Sequence, residues 1–483
     1  MTTPIADFLR GYQNEGLSRF HMPGHKGEGP LGCEAWDITE IPGADSLYEA
    51  SGIIAESEEN AAALFGSGAT LYSTEGSSQC IRAMLYLAVR NRPAGTPPVI
   101  AAARNVHKAF VYAAAMLDVE PVWLWPEGEG TASLCACPIT AEGLDRTLAA
   151  MEAPPAAVYL TSPDYLGNMA DIPALAEVCH RRGTLLLVDN AHGAYLRFLE
   201  PSRHPLDLGA DMCCDSAHKT LPVLTGGAYL HIGKNAPAGL AERARAAMAL
   251  FGSTSPSYLT LASLDLCNAS LAGEGAGLIR TAAARLAALK GDLSRRGWRL
   301  AGEEPLKLTI DASSSGWDGV ELANLLRTGG VEAEYADRDY LVLMVSGSTD
   351  EEAFRILENA LDTAGAGEGI PRAPLPQPRG ERVCSIRRAM FSPSEIVPAR
   401  ESLGRICGVP LVSCPPAVPI AISGERIGPE ALALFRRYGM EQVDVLLPDL
   451  DEKAVPVLPA RIAAAKTAQT GRESSSERKV RRA

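Results

Sequence analysis

Asp211-Met-Cys-Cys-Asp-Ser-Ala-His-Lys219 reads as a short buried strand that runs directly into a serine, a histidine and a lysine. A lysine just past a strand end sits where an open α/β sheet presents its ligands. A desolvated amine there can form a Schiff base with an aldehyde. Upstream, Thr184-Leu-Leu-Leu-Val-Asp189 ends a second apolar run in a carboxylate, followed by Asn190-Ala-His-Gly193. Taken singly, a surface lysine and a helix-capping aspartate would explain these residues. Taken together, each beside a histidine, they supply what pyridoxal phosphate needs: an amine for its aldehyde and an acid for its pyridine nitrogen.

The surrounding pattern extends that sheet. Strand-like runs fall at 69–73, 98–102, 119–124, 156–161, 184–188, 211–214 and 227–231, with helical periodicity near 78–91, 107–116, 171–182 and 238–250. Such alternation predicts an α/β fold with a mainly parallel large-domain sheet covered on both faces. The expected organisation is a Gly/Pro/His-rich N-terminal segment of irregular structure (1–50) and a large cofactor-binding domain (51–257). A bridging helix and small α/β domain follow (258–365), the helix running unbroken from Tyr258 to about Arg296. Residues 364–379 form a Gly/Pro linker. A C-terminal module (380–457) and a polar, Ser-rich tail expected to be disordered (463–483) complete the chain.

Composition narrows the function. The 483 residues are 46 % hydrophobic and 21 % charged, a globular balance, and the formal net charge of −13 argues against a nucleic-acid surface. There is no apolar run of membrane-spanning length and no signal-peptide pattern at Met1-Thr-Thr-Pro-Ile-Ala-Asp7, so a cytoplasmic protein that neither crosses nor binds a membrane is expected. The eleven cysteines are scattered without a Cys-x-x-Cys pair, which suits a reducing compartment and offers no metal site.

Further candidates cluster around the Asp189/Lys219 pair. Ser73-Thr-Glu-Gly-Ser-Ser-Gln79 follows a strand and opens a helix, where amides and the Ser77 and Ser78 hydroxyls can hold a phosphate or merely cap the helix. Ser216 is a further phosphate candidate. His107, at another strand-to-helix turn, either stacks on the cofactor ring or caps the helix. Ala191, His192 and His218 adjoin the two anchor residues and belong in or beside the pocket.

Several motifs occur in one order: Phe20-His-Met-Pro-Gly-His-Lys-Gly27, Asp37-Ile-Thr-Glu-x-x-Gly43, Arg104-Asn-Val-His-Lys108, Thr161-Ser-Pro163, Val188-Asp-x-Ala-His-Gly193 and Ser216-Ala-His-Lys219. This ordered set resembles the bacterial Orn/Lys/Arg decarboxylase family of aspartate-aminotransferase-like (fold type I) pyridoxal-phosphate enzymes. Phe391-Ser-Pro-Ser-Glu395 and Cys414-Pro-Pro-Ala-Val-Pro-Ile-Ala-Ile-Ser-Gly-Glu425 resemble its C-terminal domain. The length is similar to that of short members lacking an N-terminal wing domain.

The resemblance implies that Lys219 carries the cofactor, Asp189 pairs with the ring nitrogen and His107 stacks on the ring. Ser77, Ser78, Ser216 and His218 would hold the phosphate. In Ser253-Thr-Ser-Pro-Ser257, Thr254 and Ser255 would reach a partner subunit's cofactor in a homodimer or higher even oligomer; the alternative is a capping turn. It implies decarboxylation of arginine, lysine or ornithine in polyamine-related metabolism. A distal acid among Asp45, Glu49, Asp164, Glu395 and Glu425 would read the substrate cation. Departures from the family pattern are Asn190 for an acid, Asp164-Tyr-Leu-Gly167, Ala417 for a glycine and Tyr48-Glu-Ala-Ser51. An aminotransferase or lyase of the same fold, or a non-catalytic relative, are the competing readings.

Overall fold

The computed structural model describes residues 1–448 apart from 128, 129, 132 and 414–416. The expected tail at 463–483, and the end of the C-terminal module beyond 448, lie outside the described residues.

Seven strands build the central sheet: β1 (Ala69–Ser73), β2 (Val99–Ala103), β3 (Glu120–Leu124), β4 (Ala157–Thr161), β5 (Leu185–Asp189), β6 (Met212–Asp215) and β7 (Ala228–Ile232). Their order across the sheet is β1-β7-β6-β5-β4-β2-β3. All pairings are parallel except those of β7, which runs against both β1 and β6. Each strand therefore falls within a residue or two of its expected place. The alternating side-chain direction of a strand separates two cores. Ile100, Ala102, Tyr159, Leu187 and Cys214 pack under the helices Ser77–Asn91, Lys108–Leu117 and Leu240–Phe251. Ala101, Val158, Leu160, Val188 and Cys213 face the helices Ala141–Ala149 and Ile172–Arg181.

Two expectations need correction. The N-terminal segment is not wholly irregular: Pro4–Glu15 is a helix whose first amides, those of Ile5 and Ala6, donate to Asp265 at 3.0 and 3.1 Å. Proline is tolerated at the first helical position, so the cap comes from a remote carboxylate instead of a local residue. The bridging element is not one helix. Tyr258–Ser270 and Ala276–Arg295 are separated by a π-type turn at Leu271–Gly275, where Gly273 leaves helical geometry (φ −101°, ψ −119°).

The second helix leads into an antiparallel sheet of Leu300–Ala301, Lys307–Asp311, Tyr335–Ala336 and Tyr340–Met344, covered by Gly319–Thr328 and Glu351–Ala364. The C-terminal part contributes the antiparallel strand pairs Ser394–Pro398/Gln442–Leu446 and Leu411–Ser413/Val418–Ala421 and the helix Pro429–Arg437. It docks back on the end of β2. Arg104 donates to the carbonyls of Pro419 (2.7 Å) and Ile420 (3.0 Å) and lies 3.7 Å from Glu425, with both side chains almost fully buried. The amide of Lys108 donates to Ala417 O at 3.1 Å.

Removing one partner of a buried ion pair leaves the other charge uncompensated, at a cost of about 3–5 kcal/mol. Arg104→Ala should lower the urea midpoint by an amount of that order and expose residues 380–448 to limited proteolysis; an unchanged midpoint would show that this docking is held elsewhere.

Candidate active site

The C-terminal ends of the parallel strands converge, with β1, on a cavity of about 330 Å³. β1 leads to Gly76, Ser77 and Ser78, and β2 to Asn105 and His107. β4 ends in Thr161, β5 in Asp189 followed by Ala191 and His192, and β6 leads to Ser216, His218 and Lys219. Nine of the eleven residues expected from the sequence at the cofactor thus line one cavity. Thr254 and Ser255 do not: both are exposed in a turn tied to Glu75 by the Ser253 amide, while Ser257 caps the helix Tyr258–Ser270.

Asp189 is the buried floor of the cavity. Its Oδ2 accepts from Tyr159 OH at 3.1 Å, and its Oδ1 accepts from the Ala191 amide at 3.2 Å and the Cys214 thiol at 3.7 Å. Burial pushes its pKa up, opposed by the charge of Lys219 and by these hydrogen bonds. Lys219 Nζ lies 3.0 Å from His192 Nε2. The lysine reaches solvent within the cavity while protein encloses it at longer range, so its amine is both accessible and desolvated. Desolvation lowers its pKa, with Lys307 acting in the same direction and Asp189 and Glu334 against it.

The three histidines have different tasks. His107 accepts the Ala109 amide on Nδ1 at 3.1 Å, which leaves Nε2 to carry the proton of the neutral ring. It is therefore both helix cap and cavity wall. Burial and then the nearby Lys219 push its pKa down to about 4. His192 is buried, which together with the charge of Lys219 pushes its pKa well down, and Tyr165 stands edge-on at 5.1 Å. His218 is half-buried, within 3.1 Å of the Gly227 carbonyl through Nδ1, and burial lowers it too.

At the opposite end of the floor, Ser216 Oγ donates to Ser77 Oγ at 3.1 Å. Gly76 has φ 73° and ψ 177°, a conformation open only to glycine, and no side chain caps the helix Ser77–Asn91 that follows. This is the anion-receiving end of a helix.

The remaining walls come from distant segments: Tyr165, Cys135, Ala417, Val418 and Glu334, which accepts from Tyr165 OH at 2.7 Å. None of the five acids proposed from sequence lines the cavity. Asp45 caps the helix Ile53–Phe65 through four backbone amides, and Asp164 braces its own turn, its pKa pushed up to about 6 by burial. Glu395 pairs with Arg405, Glu425 with Arg104, and Glu49 is exposed. A larger cleft, about 900 Å³, opens at the N-terminal ends of the strands, where its acids Asp207 and Asp211 are paired with Arg197 and His180.

The family model for the Orn/Lys/Arg decarboxylase major domain matches residues 3–309. The chain belongs to the Orn/Lys/Arg decarboxylase family. An arginine decarboxylase of Halalkalibacterium halodurans is 30 % identical over 93 % of this chain and 96 % of its own, and one of Bacillus subtilis is 28 % identical over 92 % and 94 %. The structure of the Escherichia coli constitutive lysine decarboxylase superposes with a TM-score of 0.73, at 20 % identity, covering 92 % of this chain and 82 % of that one. A Sphingomonas wittichii serine palmitoyltransferase follows at TM-score 0.53, 16 % identity, 74 % of this chain and 83 % of its own. The fold is thus the aspartate-aminotransferase-like one, and family membership makes the chain a pyridoxal-phosphate-dependent amino-acid decarboxylase.

The residues present fit that cofactor. A sealed carboxylate, a reachable amine and an uncapped helix start surround one cavity, and three buried polar atoms of its lining residues, Asn105 Oδ1, Thr161 Oγ1 and His192 Nδ1, have no protein partner. Among the described residues no helix is long and apolar enough to cross a membrane, and the ten described cysteines are free.

His107 generates a pH signature. An unfolded histidine binds a proton near its ordinary pKa of 6.5, whereas folded His107 does so near 4, so between these values the unfolded state carries more protons and stability rises with pH. Raised Asp189 works in the opposite sense above its ordinary 3.8. His107→Phe should flatten the rise of unfolding midpoint between pH 4 and 6.5. An equally steep rise in the variant would assign the effect to other groups.

Proposed function

We propose that this protein releases CO2 from a basic L-amino acid, with arginine as the favoured substrate, using pyridoxal phosphate held in the 330 Å³ cavity. The observation that carries the substrate class is Glu334. Apart from Asp189 it is the only carboxylate among the described lining residues, and it stands on the small-sheet wall, where it can receive a substrate's distal cation. The names of the two full-length relatives support arginine over lysine or ornithine. The amine product would enter polyamine-related metabolism.

The bound cofactor supplies an aldehyde that joins an amine and a ring that accepts the electron pair left when CO2 departs. Lys219 provides the amine, and its lowered pKa makes the nucleophilic, uncharged form easier to reach. His192, 3.0 Å from Lys219 Nζ, can take or return the proton there. Asp189 holds a proton at the ring nitrogen, because a carboxylate sealed from water favours a cationic neighbour. Ser77, Ser78 and Ser216 hold the phosphate with the helix start, and His218 flanks them. His107 covers the ring face, while Ala191 supplies backbone beside the floor. The walls exclude water and set which bond to Cα stands where the ring can accept its electrons.

Thr254 and Ser255, exposed on a turn adjoining Glu75, are placed on the surface where a second copy could receive them. A homodimer or higher even oligomer with shared sites is the reading this supports. Mixing Lys219→Ala chains with chains altered at both Thr254 and Ser255 should restore about one working pocket in some mixed dimers. Absence of recovery after verified subunit exchange would leave Ser253–Ser257 as a capping turn only.

Turnover should follow two side chains. Lys219→Ala should abolish CO2 release and the cofactor's visible absorption band, since no other cavity residue offers an amine. Glu334→Gln should raise KM for arginine roughly ten- to hundredfold, the worth of a charge-assisted hydrogen bond, in a panel with lysine, ornithine and neutral amino acids. An unchanged KM across the basic substrates would remove Glu334 from recognition. Conversion of the cofactor to its amine form by an amino donor, without CO2, would identify an aminotransferase instead.

A further inference from the structure

Behind the cavity floor, four polar side chains are fully buried and line no part of the cavity. Asp215, the last residue of β6, accepts from Asn190 Nδ2 on Oδ1 at 2.7 Å. Its Oδ2 lies 3.1 Å from His204 Nε2 and 3.3 Å from His231 Nε2, with no exposure at any of the three side chains. His231 continues the chain through Nδ1 to Thr70 Oγ1 at 2.8 Å, and Thr70 meets Ser67 at 2.7 Å. The network therefore spans β5, β6, β7 and β1.

Its position in sequence gives it consequence. Asn190 directly follows Asp189, and Asp215 directly precedes Ser216 on the way to Lys219. One side-chain hydrogen bond ties the residues adjoining the floor acid to those adjoining the amine. The backbone is shaped around it: a Cβ at Gly193 would stand 2.0 Å from Asn190 Oδ1. Burial raises the pKa of Asp215, but the two imidazoles and their hydrogen bonds outweigh it and hold the group ionised. A buried ion pair of this kind is seldom better for stability than an apolar cluster of the same size; Asn190 Oδ1 and His204 Nδ1 are left without a partner, so what the cluster contributes is the fixed Asn190–Asp215–His204 geometry.

Resting on the assignment of Asp189 and Lys219 made above, we propose that Asn190, Asp215, His204 and His231 are positioning residues that lock the end of β5 to the end of β6 and so set the floor acid against the amine. The three groups at Asp215 also lie within 4.8 Å of one another, close enough to ligate a metal. Both carboxylate oxygens are already engaged, however, and among the described residues that group has no fourth member, so a hydrogen-bonded network is the better account.

An exchange of donor and acceptor tests this. Asn190→Asp places two carboxylates in contact, and Asp215→Asn removes the charge and leaves one acceptor oxygen where Asn190 and two histidines each need one; the double substitution restores an amide–carboxylate bond with its polarity reversed. Each single variant should weaken pyridoxal phosphate binding, read by absorbance titration, and lower kcat by about tenfold or more, and the double variant should recover most of both losses. If Asp215→Asn does not accumulate folded, Asn190→Ala leaves the Asp215–histidine contacts intact and should shift cofactor affinity and kcat in the same direction. Single variants, Asn190→Ala included, that change only the melting temperature of the cofactor-free protein would overturn the proposal. So would a double variant no better than the worse single, or a stoichiometric metal in the purified protein. Lys219→Ala run alongside separates the two levels: retained turnover there defeats the cavity assignment, whereas lost turnover with no coupling in the exchange defeats only the positioning role.

Discussion

A carboxylate sealed at the end of a parallel strand is the constraint on which this structure turns. Asp189 is almost fully buried, so its charge needs donors and a cation close by. Tyr159 from the neighbouring strand, the Ala191 amide and the Cys214 thiol supply the donors, and Lys219 supplies positive charge within reach. Those groups come from β4, β5 and β6, which must therefore end together. The parallel register does this, pairing Thr161 with Asp189 and Asp189 with Cys214.

The same dry enclosure governs the other ionisable groups. His107, His192, His218 and Lys219 are all lowered by burial, and all but Lys219 are lowered again by the lysine's charge. Crowding several bases into one cavity favours their uncharged forms. Glu334 is the counterweight at the far wall, hydrogen-bonded to Tyr165 and close enough to raise the pKa of Lys219.

Closure depends on a segment that is remote in sequence. Arg104, just past β2, anchors the strand Val418–Ala421 through two carbonyls and Glu425, and this brings Ala417 and Val418 to the cavity. Ala417 has φ 59°, in the left-handed region that costs an L-residue about 1–2 kcal/mol. The position where the family pattern carries glycine is thus a strained turn here, and the docking contacts hold it.

The seven strands, the two faces of the sheet and nine cavity residues were legible in the chain itself. Apolar alternation and strand-end chemistry are local signals, and Asp189 and Lys219 each sit at the end of such a run. Thr161 ends β4 as Asp189 ends β5; the motif Thr161-Ser-Pro163 includes it but by sequence alone gives it no place in the site. Glu334 carried no signal at all: it lies in a connection of the small sheet, 115 positions from Lys219, and only the packing of that sheet against the large one brings it to the cavity. The mistaken acids fail for a related reason, since a carboxylate's partner is chosen in space. Asp45 and Asp164 are spent on the amides of nearby turns and Glu395 on Arg405, while Glu425 meets Arg104 from the far end of the chain. Periodicity determines which elements form and which residues end them, whereas charge pairing across hundreds of residues is decided only when the chain has folded.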